Sequence, residues 1–153
     1  MNTQQLQTEI QKTQEQLKKL QEQLEAAKSI TIETAPVGTT LPDGTVVIAR
    51  YEDSVLLAAP STTEVYCEWT PEFQPVFDSL KKHGFIPAQW YVPSKEELKL
   101  AYKNCSEQFS SRYWSSTEYS STDAYNVYFN NGYASNNNKT YINCVRAFRR
   151  VYL

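Results

Sequence analysis

Nucleophilic catalysis needs a base beside the nucleophile, and this chain has one histidine, His83. No serine or cysteine motif accompanies it, so a Ser/His or Cys/His device is not expected. Cys67, Cys105 and Cys144 are widely separated and lack the close Cys or Cys/His spacing that zinc sites favour. They read as isolated reduced thiols with packing roles, a Cys67–Cys105 bridge being the open alternative. Glu96-Glu97 is the most evident carboxylate pair, but Glu97 belongs to a helix cap and Glu96 faces elsewhere. Ser115-Ser116-Thr117-Glu118 sets hydroxyls beside a carboxylate with no histidine close in sequence. Four glycines leave no glycine-rich phosphate loop, and no regular acidic loop suggests calcium. The expectation is a protein that is not an enzyme, with no catalytic residues, no cofactor and no metal.

Recognition chemistry is better represented. Residues 113–144 are crowded with Tyr, Ser, Thr and Asn, the composition that antibody paratopes use. Tyrosine offers large contact area at small entropic cost, and Ser and Asn offer adaptable hydrogen bonds. Val127 and Phe129 alternate with Asn126, Tyr128 and Asn130, which in a strand sends the first pair inward and the others outward. The candidate ligand-binding residues are Tyr119, Ser121, Asp123, Tyr125, Asn126 and Tyr128. Asn130, Tyr133, Ser135, Tyr141 and Ile142 complete the set. Trp90, Trp114, Val127, Phe129, Gly132 and Val145 are expected to be the scaffold beneath it.

The elements that must hold these residues fall into two regions. Residues 1–28 are rich in Gln, Glu, Lys and Leu, without Gly, Pro or aromatics, and so favour helix. A heptad places Thr3, Ile10, Leu17 and Leu24 at a, and Leu6, Thr13, Leu20 and Ala27 at d. Fully helical, this stalk would reach ~40 Å at about 1.5 Å per residue. A lone helix of this kind is marginal in water, so the seam is expected to meet copies of itself as a homotrimer; folding back on its own domain is the alternative.

Residues 29–153 read as one α+β domain. Ser29–Pro36 resembles an exit strand or linker, and Asp43-Gly44 a turn. Thr45–Tyr51 and Ser54–Ala59 form a hairpin, and Tyr66–Trp69 a short strand. One helix is expected to start at Thr70-Pro71 and stop at His83-Gly84; a second starts at Ser94 with the Ser94/Glu97 capping box and ends at Asn104. Ala124–Phe129, Tyr133–Ser135 and Thr140–Val151 read as strands, with Asn130–Gly132 and Asn136–Lys139 as turns. A net charge of -2 argues against a nucleic-acid partner. No apolar run reaches the ~20 residues that span a bilayer, and no secretory signal is visible at the N-terminus. Synthesis in a cytoplasm is expected, with export as part of a virus particle as one route.

Trp90-Tyr91-Val92-Pro93-Ser94 with Glu96-Glu97-Leu98 resembles the W-R-L-P-T-x-x-E-L helix entry of the collagen-like adhesin C-terminal domain family. Tyr113–Glu118 resembles that family's Y-W-S-S-T-E, and Ala124–Phe129, Gly132, Lys139 and Val145-Arg146 continue the pattern in order. The resemblance runs from about Gly38 to Val151. Tyr91 stands where Arg is usual and Tyr125 where Trp is usual. It implies a C-type-lectin-like fold, similar also to formylglycine-generating enzymes. The Asn/Tyr/Ser-rich tail further resembles the variable regions of proteins diversified by retroelements, found in phage tail fibres and some bacterial surface proteins. Those systems mutate adenines and cannot create Gln, Glu, Lys, Met or Trp from an AAY codon. Between Tyr113 and Cys144 only Trp114, Glu118 and Lys139 are of those types, and all three occupy family motif positions. The function implied is that of a phage tail-fibre or tail-tip adhesin in the virion, binding a bacterial surface protein or glycan. The alternatives are a bacterial lectin-like adhesin or structural subunit without diversification, at the cell surface or in the cytoplasm.

Overall fold

The computed structural model describes residues 2–29 and 31–153. It is mixed α+β, with an N-terminal helix and two open sheets, and divides into two compact units, Met1–Thr34 and Ala35–Leu153.

In the first unit, α1 spans Thr3–Ser29. Asn2 Oδ1 accepts from Gln5 N at 2.8 Å and Gln5 Oε1 accepts from Asn2 N at 3.0 Å, a reciprocal cap that satisfies two orphan donors. Leu6, Ile10, Leu17, Leu20 and Leu24 remain 50–62% exposed. The exit-strand expectation is corrected: residues 32–34 form a turn closed by Thr34 N–H on Thr31 O at 3.1 Å. Ile30 lies outside the described residues. No helix among the described residues is long and apolar enough to cross a membrane.

The second unit begins with the expected hairpin, β1 (Val46–Arg50) against β2 (Ser54–Ala58). Its approach turns at Gly44, whose φ of +88° suits glycine, while Asp43 Oδ1 accepts from Thr45 N and Oγ1. The last strand, β8 (Phe148–Tyr152), pairs with β2 and completes an antiparallel three-stranded sheet. After β3 (Val65–Cys67) comes α2, which spans Gln74–Lys82 and does not start at Thr70-Pro71. Thr70 instead closes a turn by accepting from Phe73 N. That turn seats Phe73, at φ +47°, in the core edge-on to Trp69. Pro75 then fills the first helical turn that Pro71 was expected to fill. The stop is as read: Gly84 has φ +86°, and Gly84 N and Phe85 N donate to Lys81 O and Leu80 O, the Schellman pattern. Helix α3 (Lys95–Cys105) carries the Ser94/Glu97 capping box, both halves present.

The second sheet contains β4 (Arg112–Glu118), β5 (Asp123–Tyr128), β6 (Ala134–Asn138) and β7 (Asn143–Val145), in the order β3-β7-β4-β5-β6. Three readings change here. Strand β4 went unread because its Ser-Ser-Thr-Glu half is polar; it is irregular between Trp114 and Glu118. Asn136–Asn138 are strand rather than turn, opposite Tyr125, Ala124 and Asp123. The run Thr140–Val151 splits into β7 and β8, because the chain changes sheets at Arg146-Ala147.

Two buried clusters fix these layers. Leu98, Ala101 and Cys105 of α3 join Ile48 and Leu56 of the first sheet and Tyr113 and Val127 of the second. Trp69, Val76, Leu80, Trp90, Trp114 and Val145 form the other. At the sheet crossing Arg146 is 2% exposed. It donates to Ala59 O and Gln108 O at 2.6 Å each, has Glu64 Oε2 3.6 Å from Nη1 and lies over the Phe109 ring, so its buried charge is paired and hydrogen-bonded.

Candidate ligand-binding face

Side chains alternate across β5, so Ala124, Asn126 and Tyr128 share one face of the second sheet and Asp123, Tyr125 and Val127 the other. Ser135 and Asn137 of β6 stand opposite Asn126 and Ala124, and Arg112 of β4 stands opposite Tyr128. Part of this face is covered, since Ala124 and Trp114 belong to the Trp69/Trp90 cluster. The rest carries polar side chains bonded to one another. Asn126 Oδ1 accepts from Ser135 Oγ at 3.1 Å and Arg112 Nη1 at 3.4 Å. Asn126 Nδ2 donates to Asn137 Oδ1 at 2.8 Å, which also accepts from Asn143 Nδ2 at 3.2 Å. The Arg112 guanidinium lies 4.7 Å from the centre of the Tyr128 ring, a cation–π contact.

Asn126 points as the alternation requires, but it is fully buried. Its neighbours cover it, and its four hydrogen-bonding sites are largely occupied within the network. It organises the face, while Tyr128 and Ser135, both half-buried, present the surface.

The remaining expected contact residues lie in separate places. Tyr125 sits on the Val127 side, edge-on to Tyr119 at 5.4 Å and under Lys95 Nζ at 4.2 Å; Asp123 shares that side of the strand. Asn130 and Tyr133 belong to the β5–β6 turn, Tyr133 being 73% exposed. That turn needs Gly132: its φ is +77°, and a Cβ there would stand 2.4 Å from the Tyr102 ring. Tyr119 and Ser121 follow β4, and Tyr141 and Ile142 precede β7, all exposed.

Those last two segments are held together by Lys139. Its Nζ meets Glu118 Oε2 at 2.9 Å and Ser121 O at 3.1 Å and lies over the Trp69 ring. Its backbone donates to Thr122 O and accepts from Trp69 N. One residue thus ties three loops, and Tyr119, Tyr141 and Ile142 are displayed from two of them.

Sequence reasoning missed Arg112, Asn137 and Asn143 as members of the face. Asn137 was hidden in a run that reads as a turn, and Asn143 just precedes the apolar Cys144-Val145. Arg112 precedes the Tyr113-Trp114 pair, and its i, i+2 relation to Trp114 was the available signal.

The nucleophilic groups lie elsewhere. Cys105 and Cys144 are buried, and burial pushes both thiols up, Cys105 to about 11. Cys67 is likewise raised by burial. Glu64 is pushed above the usual carboxylate range by desolvation, against the opposing pull of the Tyr113 hydroxyl and Arg146. Tyr113 Oη donates to Glu64 Oε2 at 2.6 Å, and Arg146 Nη1 lies 3.6 Å from the same oxygen. His83 is exposed, its Nδ1 2.8 Å from Ser79 O at the end of α2. Among the described residues no three His, Cys, Asp or Glu side chains gather as metal ligands. What the second sheet offers chemically is hydrogen-bonding amides and hydroxyls, tyrosine rings and one guanidinium, a set suited to holding a ligand.

No protein-family model matches the chain, and no curated protein matches it.

Proposed function

We propose that this chain is a non-enzymatic receptor-binding protein, a phage tail-fibre or tail-tip adhesin whose head is a C-type-lectin-like domain diversified by a retroelement. The observation that carries this reading is the outer β4–β5–β6 surface. There Ser and Asn side chains are held by mutual hydrogen bonds, with the Tyr128 ring against Arg112, above a close-packed core, the pre-organisation that binding surfaces require. The family motifs support it by where they fall: Ser94–Leu98 at the entry of α3, Tyr113–Glu118 along β4, Gly132 at its tight turn. Trp114 is fully buried and Glu118 and Lys139 tie loops, the roles of a fixed frame around changeable positions. The ligand is a bacterial surface protein or glycan. The exposed Leu/Ile stripe of α1 joins three copies, and weak sites on one stalk gain avidity by engaging together.

Sequencing the gene's 3′ end with its flanking DNA tests this reading. A near-repeat of codons 113–144 differing chiefly at adenines, beside a reverse transcriptase gene, is the expected finding. Its absence removes diversification. Loss of adhesion to host bacteria on replacing Tyr128 and Ser135 together is expected in either case, and unchanged adhesion refutes the binding face.

A further inference from the structure

Arg112 is the charged member of the Asn126 hydrogen-bond network, the face's other charges, Glu118 and Lys139, being paired with each other. The groups it contacts are neutral: Asn126 and Ser135 oxygens at 3.4 and 3.3 Å from Nη1 and the Tyr128 ring, whose centre is 4.7 Å away. Among the described residues no carboxylate forms an ion pair with it, although acids outnumber bases 17 to 15 in the chain. Three acids in or beside the strands are engaged or averted. Glu118 pairs with Lys139, Glu64 with buried Arg146, and Asp123 lies on the opposite side of β5. Both bonds from Nη1 are long, and they hold the guanidinium without neutralising it. Its Nε and Nη2 edge is the fork that matches a carboxylate or phosphate with two parallel hydrogen bonds.

We propose that Arg112 is the anion-recognising centre of this face and that the ligand presents a carboxylate or phosphate group to it. This rests on the binding-face reading above and adds the ligand's chemistry. Tyr128 would stack beside the bound group, and the Asn126 network would hold the guanidinium at its station. Asn137 and Ser135 offer neutral hydrogen bonds to hydroxyls around the charge, so an acidic or phosphorylated sugar fits the whole set.

The test titrates the full-length, isotope-labelled protein with glucuronate, inorganic phosphate and glucose, following the amide signals of Arg112, Asn126, Tyr128 and Ser135. Saturable shifts with glucuronate or phosphate, in roughly the millimolar range for one such pair, and none with glucose, are expected; the tighter anion identifies the source. Added sodium chloride should weaken the binding. Arg112→Gln should weaken it about tenfold or more, and Arg112→Lys, which keeps charge but loses the fork, by less. Equal response to glucose and glucuronate overturns the anion inference while leaving the binding face standing. So does an anion response unchanged in Arg112→Gln, or the absence of any saturable anion response in the wild type. Should Arg112→Gln lose its folded spectrum, the Arg112→Lys titration and the salt dependence decide.

Discussion

Asn126 shows what one side chain does in this sheet. It is a fully buried amide with hydrogen bonds to Arg112, Ser135 and Asn137, and removing it takes away the centre that holds these half-buried partners together. Asn126→Ala is expected to cost about 1–3 kcal/mol in urea unfolding, and to loosen Ser135 and Asn137 in amide exchange. Gly132→Ala meets both a positive φ and the Tyr102 ring, and should cost at least about 1 kcal/mol by the same measurement. Glu64 gives a pH signature. Its folded pKa is raised from 4.5, so the native state holds that proton to higher pH than the unfolded chain does. Stability from this group is therefore lost as pH climbs from about the unfolded value through the raised one. Unfolding free energies measured across that window should shift in favour of Glu64→Gln relative to wild type as pH rises. A gap that stays constant with pH would exclude the assignment.

At the level of elements, α3 rests on a cap that a short stretch of sequence specifies. Ser94→Ala removes one half of the box and should lower stability by about 1 kcal/mol. Helix α1 is different, because its apolar stripe is exposed from Leu6 to Leu24 and a 27-residue helix gains most of its stability from a packed face. Replacing Leu17 with Asp in the full-length chain should shift sedimentation from trimer to monomer and reduce helical ellipticity. A wild-type chain that sediments as a monomer at all concentrations would refute the stalk. The elements legible in sequence were those with local punctuation: the β1–β2 hairpin, the Gly84 stop, the Ser94 start and the β5 alternation. The start of α2 was misplaced because Thr70 is a good cap locally, whereas burial of Phe73 against Trp69 decides where the helix begins. The Asn136–Asn138 strand was misread because asparagine favours turns, until strand β5 supplies partners for its backbone and side chains.

For the whole molecule, residues 35–153 contain both buried clusters. A fragment of that range is expected to unfold cooperatively on its own while losing the avidity of the full chain, which calorimetry and cell-adhesion assays would measure. Within this unit the amino acids by themselves determined the α+β class, the helix punctuation, the β1–β2 hairpin and the concentration of Tyr, Ser and Asn in the last third. These follow from local propensity and periodicity, which act over a few residues. Tertiary structure alone decided that Arg112, Asn126, Ser135, Asn137 and Asn143 share one face, that Lys139 ties three loops, and that Arg146 is buried at the sheet crossing. Each depends on strand order and register between segments far apart in the chain. Pairing is settled by which apolar faces can be buried together, and no short window of sequence contains that information.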